Sequence, residues 1–151
     1  MSQSISRVYI HLTFGTKNRF PFIKPSIGEK LHPYISGITK NMESPALVIN
    51  SVPDHIHILF RQSKNQALSK IVEEIKKSSS RWIKSLEGGP KKFAWQDGYG
   101  AFSVSGSAVE IVKSYIENQQ EHHQKKTFRE EVEEFLKQYD VEEYNPDYFW
   151  D

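Results

Sequence analysis

The sequence predicts one domain of the α+β class, and three observations carry that expectation. Near the N-terminus, apolar and polar residues alternate as in a half-buried strand; two longer stretches show the spacing of amphipathic helices; and two short apolar runs flank a Pro-Asp turn. Their order is strand, helix, strand, strand, helix, strand. That is the split βαβ, or ferredoxin-like, arrangement: an antiparallel sheet with two helices on one face and its first and third strands in the middle.

Each element has a local reason. Val8, Ile10, Leu12 and Phe14 alternate with Tyr9, His11 and Thr13, which predicts the first strand. After a turn rich in Lys17, Asn18, Arg19 and Pro21, Ser26 with Glu29 reads as a capping box. A helix is expected through Leu31, Tyr34, Ile35 and Ile38, with Pro33 marking a kink or a later start. Residues 46–52 and 55–61 read as the second and third strands. Leu68, Ile71, Val72, Ile75, Trp82 and Ile83 mark the buried side of a helix over about 66–86, which Gly88-Gly89-Pro90 ends. A fourth strand is expected over 101–105 and a further helix over about 107–124. Thr127 with Glu130 opens a last helix to about residue 139, followed by an acidic, aromatic tail over about 140–151. No repeat or linker divides the chain, so residues 1–151 are expected to form a single domain.

Composition narrows the chemistry. With no cysteine, disulfides, thiolate metal sites and cysteine nucleophiles are excluded, which agrees with a reducing cytoplasm. The opening Met1-Ser2-Gln3-Ser4-Ile5-Ser6-Arg7 lacks the apolar core of a signal peptide, and no apolar run approaches membrane-spanning length. A soluble, cytoplasmic protein without a membrane partner is expected. The net charge of +1 conceals an uneven distribution: the tail carries Asp140, Glu142, Glu143, Asp147 and Asp151 without a Lys or Arg, whereas residues 61–92 hold nine basic and three acidic residues. Such a stripe suits phosphate binding and equally describes a solvated helix face.

The stretch Pro53-Asp54-His55-Ile56-His57-Ile58-Leu59-Phe60 places two histidines in an apolar strand. Side chains at i and i+2 share a face, so His55, His57 and Leu59 point one way and Ile56, Ile58 and Phe60 the other. The second set suits the two covering helices. The imidazoles then project from the uncovered face, spaced to grip one cation, although a bare His-x-His equally describes two hydrogen-bonded histidines. Further groups lie in Ser114–His123. On a helix, Tyr115 and Gln119 stack on one side, with His122 near that side and His123 displaced around it; one such catalytic helix is expected over the uncovered sheet face, bringing these groups to the two imidazoles. Gln119 offers a hard oxygen ligand and Tyr115 a phenol nucleophile.

At these residues the chain resembles the single-tyrosine HUH transposases of small bacterial and archaeal insertion sequences, with REP-associated tyrosine transposases as close relatives. His55-Ile56-His57 matches the His-hydrophobic-His motif. VYIHLTFGTKNR (8–19), NSVPDHIHILF (50–60), WQDGYGAFSVS (95–105) and YIENQQEHHQKKTFREEVEEFL (115–136) look like the opening strand, the metal strand, the lead into the catalytic helix and that helix with its continuation.

The resemblance implies that Tyr115 attacks single-stranded DNA at hairpin-bearing element ends, forming a 5′-phosphotyrosine link and a free 3′-hydroxyl. It also implies a divalent cation on His55, His57 and Gln119. A phosphate substrate and an amide oxygen favour Mg²⁺ or Mn²⁺ over Zn²⁺. A homodimer is implied, its tyrosine helix acting in cis or in trans, with Gly106 a candidate hinge and His122 a candidate auxiliary group. Lys76, Lys77, Arg81 and Lys84, beside Trp82, and Lys91 and Lys92, near Trp95 and Gln96, are candidates for DNA binding. Alternatives remain: a non-catalytic nucleic-acid module on the same scaffold, a domesticated hairpin nuclease, and a phosphodiesterase in which Tyr115 only positions water.

Overall fold

The computed structural model describes residues 2–150; Met1 and Asp151, the last acid of the tail, lie outside the described residues. Four strands form one antiparallel sheet: β1 (Val8–Gly15), β2 (Ala46–Val52), β3 (His55–Gln62) and β4 (Gly100–Val104), in the order β2-β3-β1-β4. The first and third strands are central, as the ferredoxin-like reading requires. Their register runs from Val8 opposite Gln62 to Gly15 opposite His55, which puts Thr13 opposite His57 and His11 opposite Leu59.

One face of this sheet is apolar. Ile10, Leu12 and Phe14 of β1 and Ile56, Ile58 and Phe60 of β3 belong to a buried cluster with Leu31 and Ile35 of α1 (Pro25–Asn41) and Ile71, Val72, Ile75 and Ile83 of α2 (Leu68–Ser85). Each such side chain removed from water contributes about 1.5–3 kcal/mol. This cluster fixes which way the histidines of β3 must point.

Helix α1 starts differently from the sequence expectation. Pro25 occupies its first turn, Lys24 is the N-cap without a side-chain bond, and Ser26 lies inside the helix. The proline ring already holds the helical φ and lacks only an N–H that would be unpaired there. The helix continues through Pro33, which is exposed, as is Glu29, whose carbonyl loses its helical partner there.

The opposite face is covered by three helices rather than one: α3 (Val109–Glu117), α4 (Gln119–Lys125) and α5 (Phe128–Gln138). The single helix expected over about 107–124 is therefore divided at Asn118. Asn50 of β2 explains the corner: its Nδ2 donates to the carbonyls of Ile116 (2.9 Å) and Glu117 (3.2 Å), drawing both toward the sheet edge. Asn118 Nδ2 bonds back to the Ser114 carbonyl at 2.9 Å, a local competition typical of asparagine. The capping box that opens α5 is present as expected, with Thr127 Oγ1 accepting from the Glu130 N–H (3.1 Å) and Glu130 Oε1 from the Thr127 N–H (2.9 Å). The tail includes a short α6 (Pro146–Phe149), whose Phe149 carbonyl accepts from Gln96 Nε2 at 2.7 Å.

Candidate active site

Strand alternation, the α3–α4 corner and α5 together build one polar cluster on the second face. His55 (1 % exposed), His57 (0 %), Gln119 (0 %) and Glu131 (5 %) are all buried there. A carboxylate only accepts hydrogen bonds, so the histidine and amide protons converge on Glu131. Its Oε1 lies 2.9 Å from His57 Nε2 and 3.4 Å from His55 Nε2; its Oε2 lies 3.0 Å from Gln119 Nε2. The Tyr115 hydroxyl donates to the same Oε2. Gln119 Oε1 sits 3.1 Å from His55 Nε2. The tyrosine and both strand histidines thus meet within a single chain.

Outer partners hold the two imidazoles. Asp54 Oδ1 accepts from His55 Nδ1 at 2.7 Å, and His57 Nδ1 is paired with His11 Nε2 at 2.8 Å. Both Nδ1 atoms are engaged, so both Nε2 atoms are turned inward, the arrangement that outer-shell groups impose on metal-binding histidines. His11 can donate to His57 Nδ1 or accept from it, and so follows either tautomer of His57. This donor set, two inward Nε2 atoms and an amide oxygen beside a carboxylate, fits a divalent cation. His55, His57 and Glu131 bring their ligand atoms within 4.8 Å of one another, as do Asp54, His55 and His123. Because Asp54 is bonded to His55 Nδ1, the second group reads more simply as the support of the first.

The electrostatics follow from burial and the central carboxylate. Burial alone would raise the Glu131 carboxyl, but hydrogen bonds from His55 and His57 hold it well below the usual carboxylate range. His55 is lowered by burial and raised by its bonds to Asp54 and Glu131, the net direction being up. Burial wins at His57, which is pushed down, and at His11, pushed down to about 3, so His11 is neutral at physiological pH. For Tyr115, burial and then the Glu131 charge raise the phenol above its ordinary value. An unassisted phenol is a poor nucleophile in these surroundings.

His122 stacks on Tyr115, ring centroids 4.5 Å apart at 22°. Phe128 stacks on His55 at 4.2 Å and 13°. Gly106 opens a short 3-10 turn before α3; its φ is not left-handed, and a Cβ there would meet nothing within 4 Å. Gly15 is the more constrained position: a Cβ would come within 3.0 Å of Phe128 and 3.2 Å of the Asp54 carbonyl, where β1 ends against the site.

The basic candidates on α2 lie across the sheet from the histidines. Lys76 Nζ donates to the carbonyls of Gln96, Asp97 and Gly98 at 2.7–3.0 Å, and burial lowers its ammonium to about 8. Lys77 pairs with Glu74 at 3.1 Å, and Lys91 Nζ donates to the carbonyls of Lys84 and Leu86. Arg81, Lys84 and Lys92 are exposed. Trp95 and Gln96 are buried within the fold. A cleft of about 560 Å³ lies beside the cluster, lined by Arg19, Lys125, Lys126 and Arg129 together with Asp54, His123, Phe128 and Glu130; Lys126 is paired with Glu134 at 2.6 Å and Arg129 with Glu133 at 3.2 Å.

Sequence reasoning did not pick out Glu131, Asp54 or the Arg19–Lys125–Lys126–Arg129 cleft. A signal for Glu131 existed: it occupies the stripe Phe128, Val132, Phe135 of an amphipathic helix, where a charge is out of place.

A ferredoxin-like sheet carrying paired inward imidazoles beside a helical tyrosine defines the class as HUH-type domains with a single tyrosine. The model of the IS200-like transposase family matches residues 4–119, and the chain belongs to that family. No curated protein matches the chain. Solved structures share its fold, and two of them are named transposases. One is a crystal structure of a transposase of Deinococcus radiodurans R1, with 20% identity, TM-score 0.61, and 79% of this chain and 98% of that chain covered. The other is a REP-associated tyrosine transposase bound to a REP hairpin, with 18% identity, TM-score 0.61, and 82% of this chain and 74% of that chain covered. Among the described residues no helix is long and apolar enough to cross a membrane.

Proposed function

We propose that this transposase cleaves and rejoins single-stranded DNA at hairpin-bearing element ends, with Tyr115 as the nucleophile. The observation that carries the reading is the meeting of the Tyr115 hydroxyl with the His55–His57 pair on one buried carboxylate, within one chain. In the reaction, Tyr115 Oη forms a bond to the scissile phosphorus while the bond to the 3′-oxygen breaks. The DNA 3′-hydroxyl departs with a proton, leaving a 5′-phosphotyrosine. The ester conserves the energy of the broken bond, so a later 3′-hydroxyl can rejoin without a nucleotide cofactor.

His55, His57 and Gln119 would hold Mg²⁺ or Mn²⁺, which when bound polarises a phosphate oxygen and stabilises charge developing on it. The chain's own groups do the rest. Asp54 and His11 fix the imidazoles, the α3–α4 corner sets Gln119 relative to Tyr115, and His122 stacks on the face of the phenol ring. Arg19, Lys125, Lys126 and Arg129 line the cleft through which a phosphate backbone reaches the cluster. Lys77, Arg81, Lys84, Lys91 and Lys92 remain candidates for more distant duplex contacts. That the REP-associated relative was captured on a hairpin supports hairpin DNA as the substrate here, whether the element is mobile or domesticated.

The test is incubation with hairpin-bearing single-stranded DNA and Mg²⁺ or Mn²⁺, followed by denaturing electrophoresis. A covalent adduct is expected with the wild type and none with Tyr115→Phe, hairpin binding being retained; hydrolysis without an adduct would make Tyr115 a water-positioning group instead. Chelation should remove the adduct and added Mn²⁺ restore it. The family resemblance implies a homodimer, and the single-chain site supports cis action within it. Mixing Tyr115→Phe with His57→Ala should then restore no adduct, whereas trans action would restore it.

A further inference from the structure

We infer that Glu131 is a fourth protein ligand of the same cation, binding through Oε1 while its Oε2 holds Tyr115 and Gln119. The inference rests on the cation reading above and adds to it a residue beyond the 4–119 segment that the family model matches. Three observations carry it.

The first is spacing. An octahedral site with bonds near 2.1 Å places adjacent ligand atoms about 3 Å apart. Glu131 Oε1 to His57 Nε2 is 2.9 Å, Glu131 Oε1 to His55 Nε2 is 3.4 Å, and Gln119 Oε1 to His55 Nε2 is 3.1 Å. The four groups are arranged as neighbours around one small cation.

The second is charge. His55, His57 and Gln119 offer only neutral donors, a poor match for a hard dication that must also meet a phosphate. A carboxylate supplies the oxygen and the negative charge that such ions select.

The third is rigidity. A carboxylate that merely filled an empty site would have to leave it when the ion arrived. Glu131 sits in the first turns of α5, held by the Thr127–Glu130 capping box and flanked by the buried Phe128 and Val132. With the backbone fixed there, only side-chain rotation could withdraw the carboxylate, and rotation would break its bonds to His57, Tyr115 and Gln119 together. One carboxylate thereby ties the nucleophile to the ion: Oε2 accepts from Tyr115 and also from the Gln119 amide, which turns the Gln119 carbonyl inward.

The experiment is Mn²⁺ titration of the DNA-free protein, followed by electron paramagnetic resonance and by the water-proton relaxivity of the bound ion. The variants are Glu131→Ala, Glu131→Gln and, as a control on the same helix, Glu134→Gln. Glu131→Ala should weaken Mn²⁺ at least about tenfold and raise the relaxivity, because water takes the vacated position; Glu134→Gln should change neither. Glu131→Gln, of the same shape, should also weaken the ion and decides the matter alone if Glu131→Ala does not fold. Unchanged or tighter Mn²⁺ binding without the carboxylate would overturn the inference and make Glu131 a plug of the empty site. Ion binding by Glu131 is separable from the transposase chemistry: a wild type that binds Mn²⁺ through Glu131 yet forms no DNA adduct would sink Tyr115 attack and leave the ligand standing.

Discussion

The two faces of strand β3 are made from neighbouring residues and do opposite work. Ile56, Ile58 and Phe60 are fully buried against α1 and α2, where shape and apolar area decide the energy. His55 and His57, one residue away, are as deeply buried but face Asp54, His11, Gln119 and Glu131. Burying ionisable groups costs several kcal/mol each unless every lone pair and proton is matched. The first face therefore holds the fold together, and the second uses that stability to keep polar groups dry and aligned. Burial alone does not mark a core position; what the buried atom touches does.

Substitutions can test this contrast. The strongest consequence falls on chemistry: Tyr115→Phe should abolish adduct formation while costing at most about 1.5–3 kcal/mol of stability, since it removes one hydrogen bond to a charged carboxylate that keeps other partners. Adduct assay and urea denaturation together check this, and a large stability loss would place Tyr115 in the core instead. On the apolar face Phe60→Ala should cost about 3–5 kcal/mol in urea denaturation, with adduct yield per folded molecule preserved. If activity fell more steeply than the folded fraction, the two faces would be coupled rather than separate.

Smaller effects probe how the second face is held. Asn50→Ala frees the Ile116 and Glu117 carbonyls at the α3–α4 corner and should cost about 1 kcal/mol, with adduct yield reduced through misplacement of Gln119. Unaltered adduct formation would show that the corner is not what positions that residue. Thr127→Ala removes the α5 cap and should cost about 0.5–2 kcal/mol. Its diagnostic reading is weaker Mn²⁺ binding through a loosened Glu131; an unaffected ion affinity would mean that packing of Phe128 and Val132 suffices.

Much of the fold is legible in the chain because it depends on short-range periodicity. Alternation along residues 8–14 and 55–60 sets the strands and assigns His55 and His57 to one face; four-residue spacing pairs Tyr115 with Gln119; Thr127 with Glu130 announces α5. The departures are local in one case and long-range in another. Ser26 has the look of a cap, yet Pro25 one residue earlier already starts the helix. The division at Asn118 is invisible in the local sequence because its cause, Asn50, comes from a strand far away along the chain. Glu131 is masked by the capping role of its neighbour Glu130.

Element order, the central place of the histidine strand and the face from which its imidazoles project are all written in the chain, since side-chain direction follows from backbone period. Packing in three dimensions settled the rest: α5 closes over that face, Asp54 and His11 turn both Nε2 atoms inward, and Glu131 stands between the imidazoles and the phenol. Those are contacts between segments distant along the chain, such as His57 with Glu131, 74 residues apart. Their geometry depends on how helices settle on a sheet, which no local repeat encodes.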